Sequence, residues 1–138
     1  MLREAFVALV IAISDGDTLT VLHDQQQVKI RLAEIDAPER RQPFGTRSRQ
    51  ALAELCFKVQ ATIRPAAKDR YGRTVAKVEC QGQDAGAAQV REGMAWVYRA
   101  YAPKGSPLIA IEAEAQGARR GLWADPAPVP PWDWRKQK

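Results

Sequence analysis

The sequence predicts a mainly β, α+β domain: one five-stranded barrel carrying three helices. Three observations carry this. Five short runs rich in β-branched and large apolar residues each end in a turn-like segment. Three stretches with helical spacing or helix-end signals are set among and after them. A chain of 138 residues, 46% hydrophobic and 27% charged, gives room for one domain with its own core.

The first strand reads over residues 6–13 and the second over 19–23, with Asp15-Gly16-Asp17 between them as a hairpin signal. After a polar turn at 24–27, Val28, Ile30 and Leu32 alternate with Lys29 and Arg31, the pattern of a half-buried third strand. Ala51, Leu52, Leu55 and Cys56 then recur at helical spacing while Arg47, Arg49 and Glu54 face elsewhere. Val59, Thr62 and Ile63 mark a fourth strand, and residues 73–80, with Val75 and Val78, a fifth. Asp84 is a fitting N-cap for a short second helix ending at Gly93. Ser106-Pro107 opens a third, with Leu108, Ile111 and Ala115 as its apolar stripe and Arg119 and Arg120 in its last turn before Gly121. Pro126, Pro128, Pro130 and Pro131 exclude a helix or a central strand beyond residue 124, so an extended arm is expected there. Its Trp132 and Trp134 are read as pinning the arm back onto the domain rather than stacking on bases. The division is therefore a domain over 1–123 and a Pro/Trp-rich arm over 124–138. No internal repeat is present. Short strands closing on themselves, with a helix between the third and the fourth, fit an OB-type barrel.

The net charge of +5 favours a polyanion such as nucleic acid as partner; the alternative is a basic protein without one. No stretch approaches the roughly 18 apolar residues of a membrane span. The apolar run at 6–13 leads straight into Ser14-Asp15-Gly16-Asp17, without the basic start and small-residue cleavage site of a signal peptide. The chain is then either the mature part of an exported protein or one never exported. Two cysteines and one histidine cannot build a structural zinc site, which takes about four such ligands. They also argue against a Cys-His nucleophile, and His23, at the end of a strand, is given no role. Cys56 ends the first helix and Cys80 the fifth strand, which should pair with the fourth beside that helix. A Cys56–Cys80 disulfide is expected, the alternative being two buried thiols. A bridge would imply a secreted or periplasmic setting. Nothing implies a protein partner, and a monomer is expected.

Hydrolysis of a phosphodiester needs a positioned water, neutralisation of the phosphate, and a clamp on the charge of the phosphorane. Oxygen ligands suit Ca²⁺ or Mg²⁺, and arginine suits the clamp because its planar fork stays charged. Three segments offer these groups: Asp15-Gly16-Asp17-Thr18, Arg31-Leu32-Ala33-Glu34-Ile35-Asp36-Ala37-Pro38-Glu39, and Asp69-Arg70-Tyr71-Gly72-Arg73. Singly, each has a plain reading as a hairpin turn, a solvated strand end or a loop. In order, spacing and strand context they jointly resemble the staphylococcal nuclease (thermonuclease) family, from about Val10 to Trp123.

The resemblance implies a Ca²⁺-dependent nuclease acting on DNA and RNA, in which the 5′-oxygen leaves and products carry 3′-phosphate ends. It implies Asp17 and Asp36 as side-chain ligands of Ca²⁺, with Ala37, in place of the family's threonine, offering a backbone carbonyl. It implies Glu39 as the carboxylate that orients or deprotonates the attacking water, and Arg31 and Arg73 as the phosphate clamp. Tyr71 and Tyr101 resemble residues lining the nucleotide pocket, with Arg70 and Arg99 beside them; Arg99 stands where the best-known member has a second tyrosine. The loop at 40–46 is shorter than that member's mobile loop, and Glu34 replaces an apolar residue without an assignable role. The rival reading is a non-catalytic OB-fold module that binds nucleic acid or protein. Such a module should show gaps among Asp17, Arg31, Asp36, Glu39 and Arg73, and none is seen.

Overall fold

A computed structural model describes residues 4–137 of the chain. Strands β1 (Phe6–Asp15), β2 (Thr18–His23), β3 (Gln26–Leu32), β5 (Gln60–Lys68) and β6 (Thr74–Cys80) lie in the order β3-β2-β1-β5-β6. A parallel pairing of β3 with β6, Ile30 opposite Thr74 and Leu32 opposite Ala76, closes them into a barrel. The five-stranded barrel expected from the sequence is thus present, and this one parallel pairing makes it mixed. Two short ladders escape sequence periodicity, being only two residues long: β4 (Ile35–Asp36) with β8 (Trp96–Val97), and β7 (Gln83–Asp84) on β6.

Strand β1 slips register against β2 between Val10 and Ala12 and again between Ile13 and Asp15. Each irregularity bends and twists the strand, which is how a short sheet curls into a barrel. Asp24 and Gln25 turn β2 into β3 with both φ positive, a two-residue hairpin whose twist suits the strands it joins. Leu19, Val21, Ile30, Leu32, Ile63 and Val78 fill the barrel at 2% exposure or less. Each such side chain contributes roughly 1.5–3 kcal/mol.

Helix α1 (Gly45–Cys56) lies between β4 and β5 and buries Gly45, Ser48, Leu52 and Cys56, one face at three- and four-residue spacing. Cys56 and Cys80 are joined by a disulfide with Cα atoms 5.4 Å apart, tying the end of α1 to the end of β6. Helix α2 (Ala85–Arg91) is capped by the Asp84 carboxylate, which accepts the Ala87 amide at 2.8 Å. Helix α3 (Pro107–Gly117) is capped by the Ser106 hydroxyl.

Two expectations need correction. Arg119 and Arg120 do not lie in the last turn of α3. Arg119 takes a left-handed φ of 55°, its amide donates to Gln116 and that of Arg120 to Ala115, and this closing motif ends the helix earlier. The second concerns helix count: four α-helices, not three, occur among the described residues, because Pro131–Lys136 forms α4. Prolines exclude a helix interior, but Pro130 here sits at the N-cap and Pro131 at the first helical position, where the missing N–H costs nothing.

Candidate active site

The turn from β1 to β2 is Gly16-Asp17, since Asp15 is register partner of Thr18. A Cβ on Gly16 would collide with the Ser48 hydroxyl, so only glycine lets α1 approach the turn this closely. The buried Gln89 of α2 donates its amide to the carbonyls of Gly16 (2.8 Å) and Ser48 (3.0 Å), and the Ser48 hydroxyl donates to Met94 (2.7 Å). Two helices therefore hold the turn, and the turn holds Asp17. One oxygen of Asp17 accepts the Ala37 amide at 2.7 Å and the other the Thr18 hydroxyl at 2.9 Å.

Arg31 follows along β3, between the buried Ile30 and Leu32. Its guanidinium stands 3.2 Å from Asp17 and 3.5 Å from Asp36, and it also donates to the Ile35 carbonyl at 2.8 Å. Asp36, on β4, is fixed by the pairing of that strand with Trp96. Side-chain exposure is 8% for Asp17, 2% for Asp36 and 14% for Arg31, so all three have given up most of their water. Folding thus brings together two carboxylates nineteen positions apart in the sequence around one arginine.

The charges of this rim are unevenly satisfied. Burial alone would raise the Asp17 carboxyl, but Arg31 and the hydrogen bonds from Asp15, Ala37 and Thr18 outweigh it and hold it below the ordinary range. Burial pushes Asp15 up to about 7, reinforced by the charge of Asp17, so Asp15 carries the proton of that pair. Burial also raises Asp36, and the hydrogen bonds and charge of Arg135 and Arg31 offset it only in part, with Asp17 adding repulsion.

Arg135 was not among the residues the sequence singled out. It comes from α4, donating to Asp36 at 2.7 and 3.4 Å and to Glu39 at 3.2 Å. Asp15 was likewise read only as part of a turn. A basic residue at the C-terminal end of a helix opened by Pro130-Pro131 was the available signal for Arg135.

The other expected residues lie around this centre. Arg73 precedes β6 by one residue, and the Val75 that pairs with Arg31 is two positions on, about 7 Å along the strand. Its guanidinium is held 2.7 Å from Asp69 and lies over the Tyr71 ring, as does that of Arg70. Asp69 also accepts the amides of Tyr71 and Arg73, with Gly72 at a φ of 80° completing the turn. Tyr71 and Tyr101 are 69% and 75% exposed, and the Tyr101 ring meets Tyr98 edge-on at 5.0 Å. Arg99 pairs at 3.0 Å with Glu112, a buried carboxylate that also accepts the Val97 amide. Glu34, unexplained by the sequence, accepts the Ser106 hydroxyl at 2.7 Å and so ties β4's approach to the start of α3.

No three Asp, Glu, His or Cys side chains form a metal-binding group among the described residues. Asp17 and Asp36 are hard oxygen donors, both buried and facing the same arginine. That donor set fits Ca²⁺, which completes six to eight oxygen ligands with carbonyls, waters and phosphates. Also among the described residues, no helix is long and apolar enough to cross a membrane.

Comparison with known proteins points to one family. The model of the family described as staphylococcal nuclease homologue matches residues 29–125. Protein ParB of Escherichia coli is 45% identical over 93% of this chain and 78% of its own length. A micrococcal nuclease of Shigella flexneri is 43% identical, over 92% and 79%. An uncharacterised endonuclease of Haemophilus influenzae is 44% identical, over 99% and 76%.

Proposed function

The chain belongs to the staphylococcal nuclease homologue family, and we propose that it is a Ca²⁺-dependent nuclease that hydrolyses phosphodiester bonds of DNA and RNA. The observation that carries this reading is the buried arrangement of Asp17 and Asp36 on either side of Arg31. Buried carboxylates are retained at this cost where a cation or a charged substrate uses them.

Asp17, Asp36 and the carbonyl of Ala37 would hold the cation. Bound there, it would neutralise the scissile phosphate and stabilise charge on the phosphorane. Arg31 and Arg73 bind the non-bridging oxygens, offering planar, permanently charged donors whose interaction strengthens as charge accumulates. Glu39, which at 30% side-chain exposure is open to water, orients the nucleophile and takes its proton. The 5′-oxygen departs and the 3′-phosphate remains. No covalent intermediate is needed, and neither cysteine is a candidate nucleophile since the two are bonded to each other.

The test is digestion of single- and double-stranded DNA and RNA with Ca²⁺, with Mg²⁺ and with chelator. Cleavage that survives chelation, or 3′-hydroxyl products, would refute the corresponding part. The disulfide is compatible with life outside the cytoplasm, and we place the protein in the periplasm or cell exterior. Thiol titration after isolation from each fraction tests this.

A further inference from the structure

We propose that the C-terminal arm is an intramolecular latch, in which Arg135 sits on Asp36 and Glu39 and must leave before a divalent cation can bind. The inference rests on the reading of Asp36 as a ligand and Glu39 as the carboxylate acting on water.

Arg135 lies nearly a hundred residues beyond both carboxylates, yet its fork spans them. One nitrogen is 2.7 Å from Asp36; the other is 3.4 Å from the second oxygen of Asp36 and 3.2 Å from Glu39. Both oxygens of Asp36 are thereby engaged, one of them also facing Arg31 at 3.5 Å. The fork of Arg135 takes lone pairs on both Asp36 oxygens, which the single longer contact from Arg31 does not, and its charge repels a cation approaching the same carboxylate. Binding of one therefore opposes binding of the other.

The arm is built to deliver that side chain. Pro126, Pro128, Pro130 and Pro131 restrict its backbone, so little freedom is lost on docking. Gln42 donates to the Val129 carbonyl at 2.6 Å, and Pro131 is buried. The Trp132 ring stacks on Tyr98 at 5.4 Å and meets Trp96 edge-on at 5.6 Å. Trp96 is the register partner of Asp36, so the arm is anchored on the ladder that carries the carboxylate it covers.

The docking is also releasable. The indole nitrogens of Trp96, whose ring Trp132 meets, and of Trp134 within the arm are buried without a hydrogen-bond partner among the described residues, so the docked state leaves two donors unsatisfied. Arg135 itself remains 40% exposed at the mouth of the site, where water and salt compete for it. The latch is therefore a two-state element, and apparent cation affinity equals the intrinsic affinity scaled by the open fraction.

The experiment is calorimetric titration of Ca²⁺ into the full chain without substrate. It compares wild type with Arg135→Ala, Trp132→Ala and Asp36→Ala, and is joined to hydrogen exchange of the wild-type arm. An arm open about one-tenth of the time predicts roughly tenfold tighter Ca²⁺ binding by Arg135→Ala. Trp132→Ala should tighten binding in the same direction with every charge in place. Exchange over residues 131–137 should rise when wild type is saturated with Ca²⁺. Tightening by Arg135→Ala alone would mean a simple charge effect and overturn the latch, as would an arm whose protection ignores Ca²⁺. Equal affinity in wild type, Arg135→Ala and Trp132→Ala would overturn the latch and leave the metal-site reading intact. Binding unchanged by Asp36→Ala, or absent from all four proteins, would overturn both.

Discussion

Reducing the Cys56–Cys80 bridge should destabilise the protein by an amount set mainly by the unfolded chain. The two residues are 24 apart, and closing such a loop removes about 3.5 kcal/mol of unfolded-state entropy in the chain-entropy model. Both cysteines are fully buried, so reduction opens no cavity, and the two sulfurs need only separate from bonding to van der Waals distance. The cross-link term therefore sets the scale of the effect. With an unfolding entropy near 0.29 kcal/mol/K for a chain of this length, the melting midpoint should fall by about 12 °C. The assay is thermal denaturation of oxidised and reduced protein in chelator, followed by circular dichroism, with thiol titration of each sample. A fall of less than about 3 °C in fully reduced protein would refute the entropic argument. Two free thiols in the unreduced, denatured protein would refute the bridge itself.

Saturating Ca²⁺, at one hundred times its dissociation constant, should add about 2.7 kcal/mol and raise the midpoint by about 9 °C. Asp36→Ala should abolish that shift; an equal shift in the variant would sink the ligand assignment. Arg73→Ala should slow cleavage at least about 10²-fold while leaving the fold in place, and wild-type rates would remove Arg73 from the clamp. Gly16→Ala should destabilise by about 1–3 kcal/mol, because Ser48 and Ala37 must move aside, and an unchanged midpoint would show that α1 yields freely. The Asp69 carboxyl sits below its ordinary value: desolvation, which would raise it, is outweighed by the Arg73 and Tyr71 amides and the Arg73 guanidinium. Its stabilising contribution is then present above the unfolded value of about 3.9 and lost as pH falls through the lower folded value. Asp69→Asn should remove that acid-limb dependence, and a superimposable stability–pH profile would contradict it.

The barrel was legible because its strands obey simple rules. Val28, Ile30 and Leu32 alternate with charged neighbours, and only one register turns all three inward, burying Ile30 and Leu32 and half-burying Val28. The caps Asp84 and Ser106 were legible for a similarly local reason: each needs only its own side chain and an amide two or three residues on. The pairing of β4 with β8 was not, since two-residue strands have no measurable period and Trp96 is sixty positions from Asp36. Helix α4 was hidden by the same prolines that begin it, a breaker signal inside a helix and a starter signal at its edge. For Asp15, the residue type was visible but the burial that raises its carboxyl was not, because that environment exists only once β1 pairs with β2 and Asp17 and Arg31 lie beside it.

Arg31 and Arg73 carry the same expected chemistry in different surroundings, and this decides how each can be tested. Arg31 is 14% exposed and separates two carboxylates that are themselves 8% and 2% exposed. Removing one member of a buried charge cluster costs about 3–5 kcal/mol when a partner is left buried and uncompensated, here Asp17, since Asp36 keeps Arg135. Measured against a typical total stability of about 5–15 kcal/mol, that loss can unfold the chain. Arg31→Ala would then abolish cleavage whether or not its guanidinium ever touches phosphate. Arg73 and Asp69 are 29% and 20% exposed, in a turn already held by backbone hydrogen bonds. Truncation there leaves Asp69 partly solvated and still accepting two amides. A loss of rate in Arg73→Ala at an unchanged melting midpoint therefore reports on the transition state. A comparable loss in Arg31→Ala reports on catalysis only once Ca²⁺, by compensating Asp17 and Asp36, restores the variant's fold. The arginine that the fold most needs is the poorer probe of the reaction, and the one it can spare is the better.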